Sequence, residues 1–384
     1  MVDDVTLEEV VTPALVVDRA RVLANVEEMA ARARSLGVGL RPHAKTHKSP
    51  VIAAHQRAHG ALGLTVATMS EAEGFADEGI DDLVLSAPPV GDWRLQRLVS
   101  LARRVRLRVA VDDAEVVMAL ERACARAGVR IGYLWELDCG VGRFGTTPGR
   151  ATAERIAPVA DATTHCSFDG LFTFGGHAYR AADRAGLEAA ARDEVEAIAE
   201  TASALVDHGI EARVRSVGST PTAHVMRDGE GITEIRPGNY VFYDATQVAL
   251  GLVDLDRCAL SVLTTVSSRP ARDRLIIDAG SKALAADAVP PPGAGFGRVV
   301  GHPELTVVQL YEEQGIVTSA GPCEIPTGTR LRVVPNHACA AVNLHDRMLA
   351  REGGAIVDSW PVAFRGWRER GGDREPAGLA APQT

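Results

Sequence analysis

Eight apolar, strand-like runs separated by amphipathic stretches occupy the first two-thirds of this 384-residue chain. Many of the runs precede a helix-start signal, as at Ser70-Glu71-Ala72-Glu73 and Asp112-Asp113-Ala114-Glu115. Eight alternating units predict an α/β fold, a (β/α)8 barrel of the TIM type, with an extra helix at about residues 18–36. A doubly wound sheet is the structural alternative, but no G-x-G-x-x-G motif opens a helix after the first strand. The predicted strands are residues 38–44, 62–67, 82–87, 105–111, 131–138, 168–175, 212–218 and 234–242.

The pattern changes after about residue 250, where β-like runs replace the strand–helix alternation. These runs are residues 258–266, 273–278, 305–310 and 330–334. We therefore predict a barrel over residues 18–250, followed by a β-rich domain formed by residues 1–17 and 251–368. The run at 12–17 is expected to add a strand to that domain, and residues 369–384 are predicted to be a disordered tail.

Composition narrows the possible function classes. The net charge of −9, without a long basic block, argues against a nucleic-acid partner. No apolar run is long enough to cross a bilayer, so no membrane partner is expected. The acidic N-terminus lacks the basic and apolar regions of a signal peptide, and the six cysteines contain no C-x-x-C pair. These features predict a cytoplasmic protein with reduced thiols.

Lysine is scarce in this chain. Only Lys45, Lys48 and Lys282 occur among 41 basic residues, and two of them lie in R-P-H-A-K-T-H-K. A buried lysine can lose its proton and condense with an aldehyde, whereas arginine keeps its charge. Lys45 follows the first predicted strand, and barrel enzymes carry their chemistry at the carboxyl ends of strands. A solvated surface charge and a codon bias are the alternatives for this pattern.

The polar segment Gly218-Ser219-Thr220 lies at the end of the seventh predicted strand, and Gly238-Asn239-Tyr240 lies in the eighth. Barrels frequently bind phosphate with the loops after strands seven and eight. Gly218 permits close backbone approach, while the next two residues offer hydroxyl and N–H donors. An ordinary turn with a helix cap is the alternative. Together with an amine at Lys45, a phosphate site predicts pyridoxal 5′-phosphate as the cofactor.

Three further motifs carry candidate functional groups. Arg143, in a glycine-rich loop after the fifth strand, is able to reach a cofactor oxygen. His177 and Tyr179 end the sixth strand as acid–base or ring-contact groups, and a structural histidine is the alternative. His337 and Cys339, two residues apart on an expected extended strand, would face the same side and share a divalent metal. Imidazole and thiolate favour zinc or manganese, and a small buried cysteine is the alternative.

These motifs together resemble a known family. T-P-A-L-V-V-D, R-P-H-A-K-T-H-K, G-S-T-P-T, R-P-G-N-Y-V-F-Y-D and P-N-H-A-C-A-A-V-N-L are similar to motifs of the fold-type III pyridoxal phosphate enzymes. Within that class, they resemble the D-threonine aldolase and D-serine dehydratase group over roughly residues 10–365. The resemblance implies an alanine-racemase-like barrel, a C-terminal β domain that binds metal, and a homodimer with active sites near the subunit interface.

The resemblance also implies residue roles. Lys45 would hold the cofactor, Arg143 would lie near its ring oxygen, and His337 and Cys339 would bind the metal. The residues implied around the phosphate are Gly218, Ser219, Thr220, Gly238, Asn239 and Tyr240.

The implied activity is a lyase reaction on small D-3-hydroxy-α-amino acids, by retro-aldol cleavage to glycine and an aldehyde. Dehydration of D-serine or D-3-hydroxyaspartate at the same site is the alternative, and the H-x-C pair is more similar to the dehydratases. An amino-acid racemase would need a second base opposite Lys45 and has no use for a metal pair. The second domain and the H-x-C pair argue against a non-catalytic carrier of the cofactor. Gln314 stands where many relatives have histidine.

Overall fold

The computed structural model describes residues 5–288 and 294–366, whose strands form two sheets. The strands are β1 (Val5–Thr6), β2 (Ala14–Asp18), β3 (Gly39–Leu40), β4 (Leu64–Val66), β5 (Asp82–Leu85), β6 (Arg106–Val111), β7 (Ile131–Leu137), β8 (Cys166–Thr173), β9 (Val214–Val217), β10 (Glu234–Ile235), β11 (Leu260–Ala271), β12 (Arg274–Ile277), β13 (Arg298–Val299), β14 (Leu305–Leu310), β15 (Gly315–Ser319), β16 (Arg330–Val334), β17 (Arg347–Glu352) and β18 (Ala355–Pro361).

The α-helices cover the barrel and connect its strands. They are α1 (Arg19–Ser35), α2 (Pro50–Ala58), α3 (Met69–Asp77), α4 (Asp92–Leu101), α5 (Ala114–Ala127), α6 (Arg150–Ala162), α7 (Arg184–Val206), α8 (Thr220–Val225), α9 (Ala245–Ala249), α10 (Ser281–Leu284) and α11 (Ala338–Asn343). Short 3-10 turns occupy Ala44–Thr46, Gly176–Arg180, Asn239–Val241 and Leu255–Arg257. Within the described ranges, no helix combines the length and the apolar composition that crossing a bilayer requires.

The first sheet is the predicted barrel. Its eight parallel strands follow the order β3-β10-β9-β8-β7-β6-β5-β4. The ring closes between its two ends, because the Leu62 N–H donates to the Leu40 carbonyl and the Thr65 N–H to the Pro42 carbonyl, each at 2.8 Å. All eight predicted strands occur, but β3 and β10 are short. Pro42 and Pro237 follow them and have no N–H to continue the ladder.

The helix-start signal at Asp113 lies at the start of α5, whereas α3 begins one residue before the predicted signal at Ser70 and is capped by Thr68. The Thr68 hydroxyl accepts the Glu71 N–H at 3.2 Å before α3, and the Asp113 carboxylate accepts the Glu115 N–H at 2.7 Å before α5. Each such cap contributes about 1 kcal/mol. Between strands and helices lies the apolar core, in which Leu64, among others, is fully buried.

Charged side chains fill part of the barrel interior. Arg41, 3% exposed, lies 2.7 Å from Asp82 and 3.0 Å from Glu234. Arg108 lies 3.2 Å from Asp82 and 2.7 Å from Asp169. Asp82 and Glu234 begin their strands, so this network lies toward the amino ends. Removing one partner would leave an uncompensated charge, at a cost of about 3–5 kcal/mol.

The second sheet has ten strands in the order β1-β18-β17-β2-β11-β12-β15-β14-β13-β16. β16 also pairs with β11, through Val333 and Val262, which closes six of these strands into a ring. The N-terminal run contributes as expected, because Val16 in β2 pairs with Ser261 in β11. The residue ranges given to the two domains stay a prediction, and the predicted disordered tail at 369–384 lies outside the described residues.

Candidate active site

Lys45 lies in the 3-10 turn that follows the closure of the barrel. Its backbone N–H lies 3.4 Å from Nδ1 of His43, and its Nζ lies 5.6 Å from the centroid of the Phe174 ring. Burial lowers the pKa of the Lys45 ammonium, and the positive charges of Arg143 and Arg236 also lower it. A lowered pKa leaves more of the neutral amine, the form that attacks an aldehyde.

The other two lysines are engaged elsewhere. Nζ of Lys48 donates to Oδ1 of Asn343 at 2.7 Å, and Nζ of Lys282 lies 2.8 Å from a carboxylate oxygen of Glu313. The hydrogen bond that Lys282 donates to Glu313 also raises the pKa of Lys282. Nζ of Lys48 also lies 3.3 Å from Oε1 of Glu71. In the part of the chain that the structure describes, Lys45 is therefore the lysine whose amine has no carboxylate partner.

The loops after the seventh and eighth barrel strands meet the Lys45 turn. Oγ1 of Thr220 accepts the Tyr240 N–H at 3.1 Å, which joins the two loops. A Cβ added at Gly238 would lie 2.8 Å from the carbonyl oxygen of His43 and 2.9 Å from Oγ1 of Thr46. Only a glycine permits this approach without a shift of the turn. We call the Lys45 turn and these two loops, which meet after strands one, seven and eight, the cradle; a side chain at position 238 would force its parts to separate.

Several donors expected to face the phosphate already have protein partners. The N–H groups of Gly218 and Gly175 both donate to Oε1 of buried Glu194, at 2.8 and 2.7 Å. The Ser219 hydroxyl caps α8, accepting the Thr222 N–H at 3.3 Å. These contacts shape the loop, and direct phosphate contacts of Gly218 and Ser219 stay a prediction. Gly218 has a φ of 117°, a conformation that favours glycine.

The side chains of Asn239 and Tyr240 point away from the cradle. The Tyr240 hydroxyl accepts the Gln56 amide at 3.0 Å within the core, and burial raises the pKa of Tyr240. The Asn239 amide donates to the Asp244 carboxylate. The backbone of this segment, rather than its side chains, is therefore what the cradle offers.

Arg143 lies on the same aromatic ring as Lys45. Its guanidinium carbon is 4.9 Å from the centroid of Phe174. Asp138 folds the preceding loop, because its Oδ1 accepts the N–H groups of residues 140, 141 and 142 at 3.0, 2.8 and 3.1 Å. The Phe174 ring thus lies close to both Lys45, which is predicted to hold the cofactor, and Arg143, which is predicted to contact a cofactor oxygen.

Two buried charged residues at this end of the barrel were missed by the sequence analysis. Glu136 is 3% exposed, and its Oε2 has no hydrogen-bond partner among the described residues. Burial raises the pKa of Glu136 to about 7, although Arg236 and Arg143 oppose the rise. Arg236 donates from Nε to the Ser216 hydroxyl at 2.7 Å. The available signals were a lone glutamate in an apolar strand and an arginine just before the second cradle loop.

His177 and Tyr179 occupy the 3-10 turn after β8 but face different partners. Nε2 of His177 lies 3.0 Å from Asp193, and its buried Nδ1 has no partner in the described ranges. Burial raises the pKa of Tyr179, and the negative charges of Cys339 and Asp244 raise it further. Tyr179 is therefore a neutral phenol beside the H-x-C pair.

The H-x-C pair does not lie on an extended strand, so that part of the sequence interpretation is wrong. β16 ends at Val334, and His337 is the residue before α11, in which Cys339 is the second residue. The strand ends before Pro335, which has no N–H to continue the ladder, and the Asp244 carboxylate accepts the Ala338 N–H at 2.9 Å at the start of α11. The two side chains still meet. Burial raises the pKa of the Cys339 thiol, but the hydrogen bonds from His337 and Thr46 and the positive charges of His337 and Lys45 together outweigh it, so the net pKa is lowered.

The pair adjoins the Lys45 turn. Oγ1 of Thr46 lies 3.1 Å from Sγ of Cys339, and Nδ1 of His337 lies 3.0 Å from Oδ1 of Asp287. Among residues 5–288 and 294–366, no group of three or more His, Cys, Asp or Glu side chains is arranged to hold a metal. An imidazole and a thiolate in contact fit zinc, and two protein ligands leave positions open for substrate.

Comparison with known proteins places this geometry in a family. The family model “Alanine racemase, N-terminal domain” matches residues 17–246, and “Putative serine dehydratase domain” matches residues 259–350. The chain is 34% identical over 365 residues to the D-threonine aldolase of Arthrobacter sp, covering 94% of both chains. The chain belongs to the fold-type III pyridoxal phosphate enzymes. Within them it falls in the D-threonine aldolase and D-serine dehydratase group, as its motifs predicted.

Members of this group are similar along their whole length. The D-threo-3-hydroxyaspartate dehydratase of Delftia sp. (strain HT23) is 34% identical over 382 residues, covering 94% of this chain and 99% of its own. A solved cysteine-to-alanine variant of a D-threo-3-hydroxyaspartate dehydratase, in the metal-free form, superposes with a TM-score of 0.87. It is 32% identical and covers 94% of this chain and 100% of its own, which confirms the alanine-racemase-like barrel and β-rich domain.

Proposed function

We propose that this chain is a lyase, dependent on pyridoxal phosphate and a divalent metal, that cleaves D-3-hydroxy-α-amino acids to glycine and an aldehyde. The 3.1 Å contact between Thr46 and Cys339 supports this proposal most directly. It brings the H-x-C pair against the turn that carries Lys45. A 3-hydroxy amino acid has its amine and its hydroxyl on neighbouring carbons, so one such molecule can engage both groups at once.

The proposed cofactor site uses the cradle and the lysine turn. When bound there, pyridoxal phosphate supplies an electron sink for negative charge at the substrate's Cα. Lys45 holds it covalently, and Arg143 provides a cation beside Phe174 for the ring oxygen. The residues proposed around the phosphate are Gly218, Ser219, Thr220, Gly238, Asn239 and Tyr240.

We infer that His337 and Cys339 bind a zinc or manganese ion. One solved variant of a D-threo-3-hydroxyaspartate dehydratase carries alanine in place of a histidine, and another carries alanine in place of a cysteine two positions later. His337 and Cys339 have the same spacing. The ion supplies a Lewis acid for the β-hydroxyl. Tyr179, kept protonated by its raised pKa, can donate a hydrogen bond beside the pair. His177, held by Asp193, has Nδ1 available for acid–base work.

Dehydration is the second candidate, because the His337 and Cys339 pair has the spacing of the histidine and cysteine replaced in those dehydratase variants, and because the chain is 34% identical to both enzymes. In that reaction neutral Lys45 would remove the α-proton and the β-hydroxyl would leave. The residues present serve both outcomes, so the bond that breaks must be identified from the products.

Product analysis tests the proposal. The purified protein would be incubated with D-threonine, D-serine and D-3-hydroxyaspartate, with the L-isomers as controls. Glycine plus an aldehyde supports retro-aldol cleavage, whereas a 2-oxo acid plus ammonia supports dehydration. Release of neither product pair, with only the opposite enantiomer formed, would refute the lyase proposal in favour of a racemase.

We also propose a homodimer in the cytoplasm. Val90, Trp93 and Phe144 are 56%, 50% and 41% exposed and line a cavity of about 1,090 Å³ at the carboxyl ends of the barrel strands. Exposed apolar side chains beside a site are typical of a surface that a second copy covers. The six free cysteines are consistent with a reducing compartment. Light scattering of the purified protein would give its oligomeric state.

A further inference from the structure

In the hydrogen bond between His337 and Asp287, the chemistry of the two side chains determines which one is the donor. Nδ1 of His337 lies 3.0 Å from Oδ1 of Asp287. An aspartate carboxylate is ionised near neutral pH and is then acceptor-only. Nδ1 must therefore carry the hydrogen, which leaves Nε2 as the ring nitrogen able to bind an ion.

Long-range contacts hold this pair together. Asp287 and His337 are 50 residues apart in the chain. Asn336, which precedes His337 and is 4% exposed, donates from Nδ2 to the Asp287 carbonyl at 2.9 Å and to the Gly295 carbonyl at 2.8 Å. A buried amide thus fixes the backbone of Asp287 next to the histidine, so the carboxylate is positioned before any ion arrives.

A second histidine–carboxylate pair provides a comparison. Nδ1 of His302 lies 3.0 Å from Oε1 of Glu304, the same distance. These two residues are two positions apart between β13 and β14, and they are partly exposed, as His337 and Asp287 are. That pair is local, whereas the pair of Asp287 and His337 joins distant segments beside Cys339.

We propose that Asp287 is a positioning residue for the metal site, because its carboxylate fixes the His337 ring with Nε2 toward the ion. This inference rests on the proposed function, in which His337 and Cys339 hold the metal. Carboxylates that orient metal-binding histidines typically change metal affinity 10- to 100-fold when they are removed. The ligands themselves stay in place, so the bound ion keeps its thiolate.

The test compares Asp287→Ala with the matched control Glu304→Ala. Zn²⁺ affinity of the full-length protein would be measured by competition with a chromophoric chelator, and Co²⁺ would report the thiolate ligand by its charge-transfer absorption. We expect Asp287→Ala to weaken Zn²⁺ binding by about 10- to 100-fold and to keep the thiolate–cobalt band at saturation. Glu304→Ala should bind Zn²⁺ as the unmodified protein does, and Asp287→Glu should recover part of the affinity.

Unchanged Zn²⁺ affinity in Asp287→Ala, with weakened binding in His337→Ala, would overturn the positioning role alone. Unchanged affinity in both variants would overturn the metal site as well, and with it the metal-dependent function. An equal loss in Asp287→Ala and Glu304→Ala, or a loss that follows a lower melting temperature of the metal-free Asp287→Ala protein, would assign Asp287 a structural role and also overturn the proposal.

Discussion

Replacing Gly238 by alanine tests whether the loop after β10 must approach the Lys45 turn so closely. The new Cβ would lie 2.8 Å from the His43 carbonyl oxygen and 2.9 Å from Oγ1 of Thr46, closer than real Cβ atoms approach other groups. Gly238 has a φ of −126°, which any residue adopts. The cost of the substitution therefore comes from this contact and not from backbone strain.

The expected magnitude follows from overpacking. Inserting a methyl group into a well-packed site typically costs about 1–3 kcal/mol. If the Lys45 turn moves to relieve the contact, that energy appears as weaker cofactor binding, and each 1.4 kcal/mol is about tenfold. The affinity for pyridoxal phosphate should then fall by roughly 5- to 150-fold. If the loop yields instead, the cost appears as a lower melting temperature.

The assay is a titration of the cofactor-free protein with pyridoxal phosphate, followed by absorbance, with a melting curve for each variant. Gly321→Ala is the matched control, because a Cβ there meets no atom within 4 Å and the position has no left-handed φ. Gly218→Val is less informative, since the φ of 117° at Gly218 would strain any side chain. Wild-type cofactor affinity together with a wild-type melting temperature in Gly238→Ala would refute the cradle.

Further predictions concern the lysine, the metal and the buried glutamate. Borohydride should trap the cofactor on Lys45, and Lys45→Ala should lose the yellow colour and the activity; trapping on Lys48 or Lys282 would contradict the assignment. Chelation should abolish lyase activity and preserve the colour, whereas a loss of structure with the metal would indicate a structural ion. Burial raises the pKa of Glu136 from 4.5 to about 7 in the folded protein. Between pH 4.5 and pH 7, the folded protein therefore keeps a proton on Glu136 that the unfolded chain has lost. The free energy of unfolding therefore falls by about 3 kcal/mol as pH rises through that window. Relative to wild type, cofactor-free Glu136→Gln should gain about this much stability between pH 5 and pH 8 in urea denaturation, and a constant difference would refute the pKa.

The barrel was predictable because its strands are buried on both faces and its helices begin at local signals. Asp113 belongs to a predicted helix start and caps α5, whereas the cap of α3 is Thr68, two residues before the predicted signal at Ser70. The short β3 and β10 were not anticipated, although Pro42 and Pro237 give the reason. The proline effect is local, so strand ends of this kind can be predicted from the sequence.

The geometry of the site was less predictable, because long-range contacts set it. Pro335 is a local signal that β16 ends at Val334, but the carboxylate at the start of α11 belongs to Asp244, 94 residues before Ala338, so no local pattern shows that the H-x-C pair enters a helix. Glutamate is usually a surface residue, and only the folded chain shows that Glu136 and Glu194 are buried. Burial, rather than residue identity, is what raises the pKa of Glu136.

The Lys45 turn is held from both domains, and this arrangement limits what the site can bind. Within the barrel, Gly238 lies against Thr46 and His43, while from the second domain Cys339 contacts Thr46. The turn cannot shift toward one partner without losing contact with the other. The separation between the amine and the H-x-C pair is therefore set by the packing of two domains. Under the proposed function, a substrate would match that separation with its own amine and hydroxyl, which lie on neighbouring carbons at a short, fixed spacing. Thr46 contacts Gly238 in the barrel and Cys339 in the second domain. A shift of either domain would therefore be transmitted through Thr46 to the functional group of the other domain.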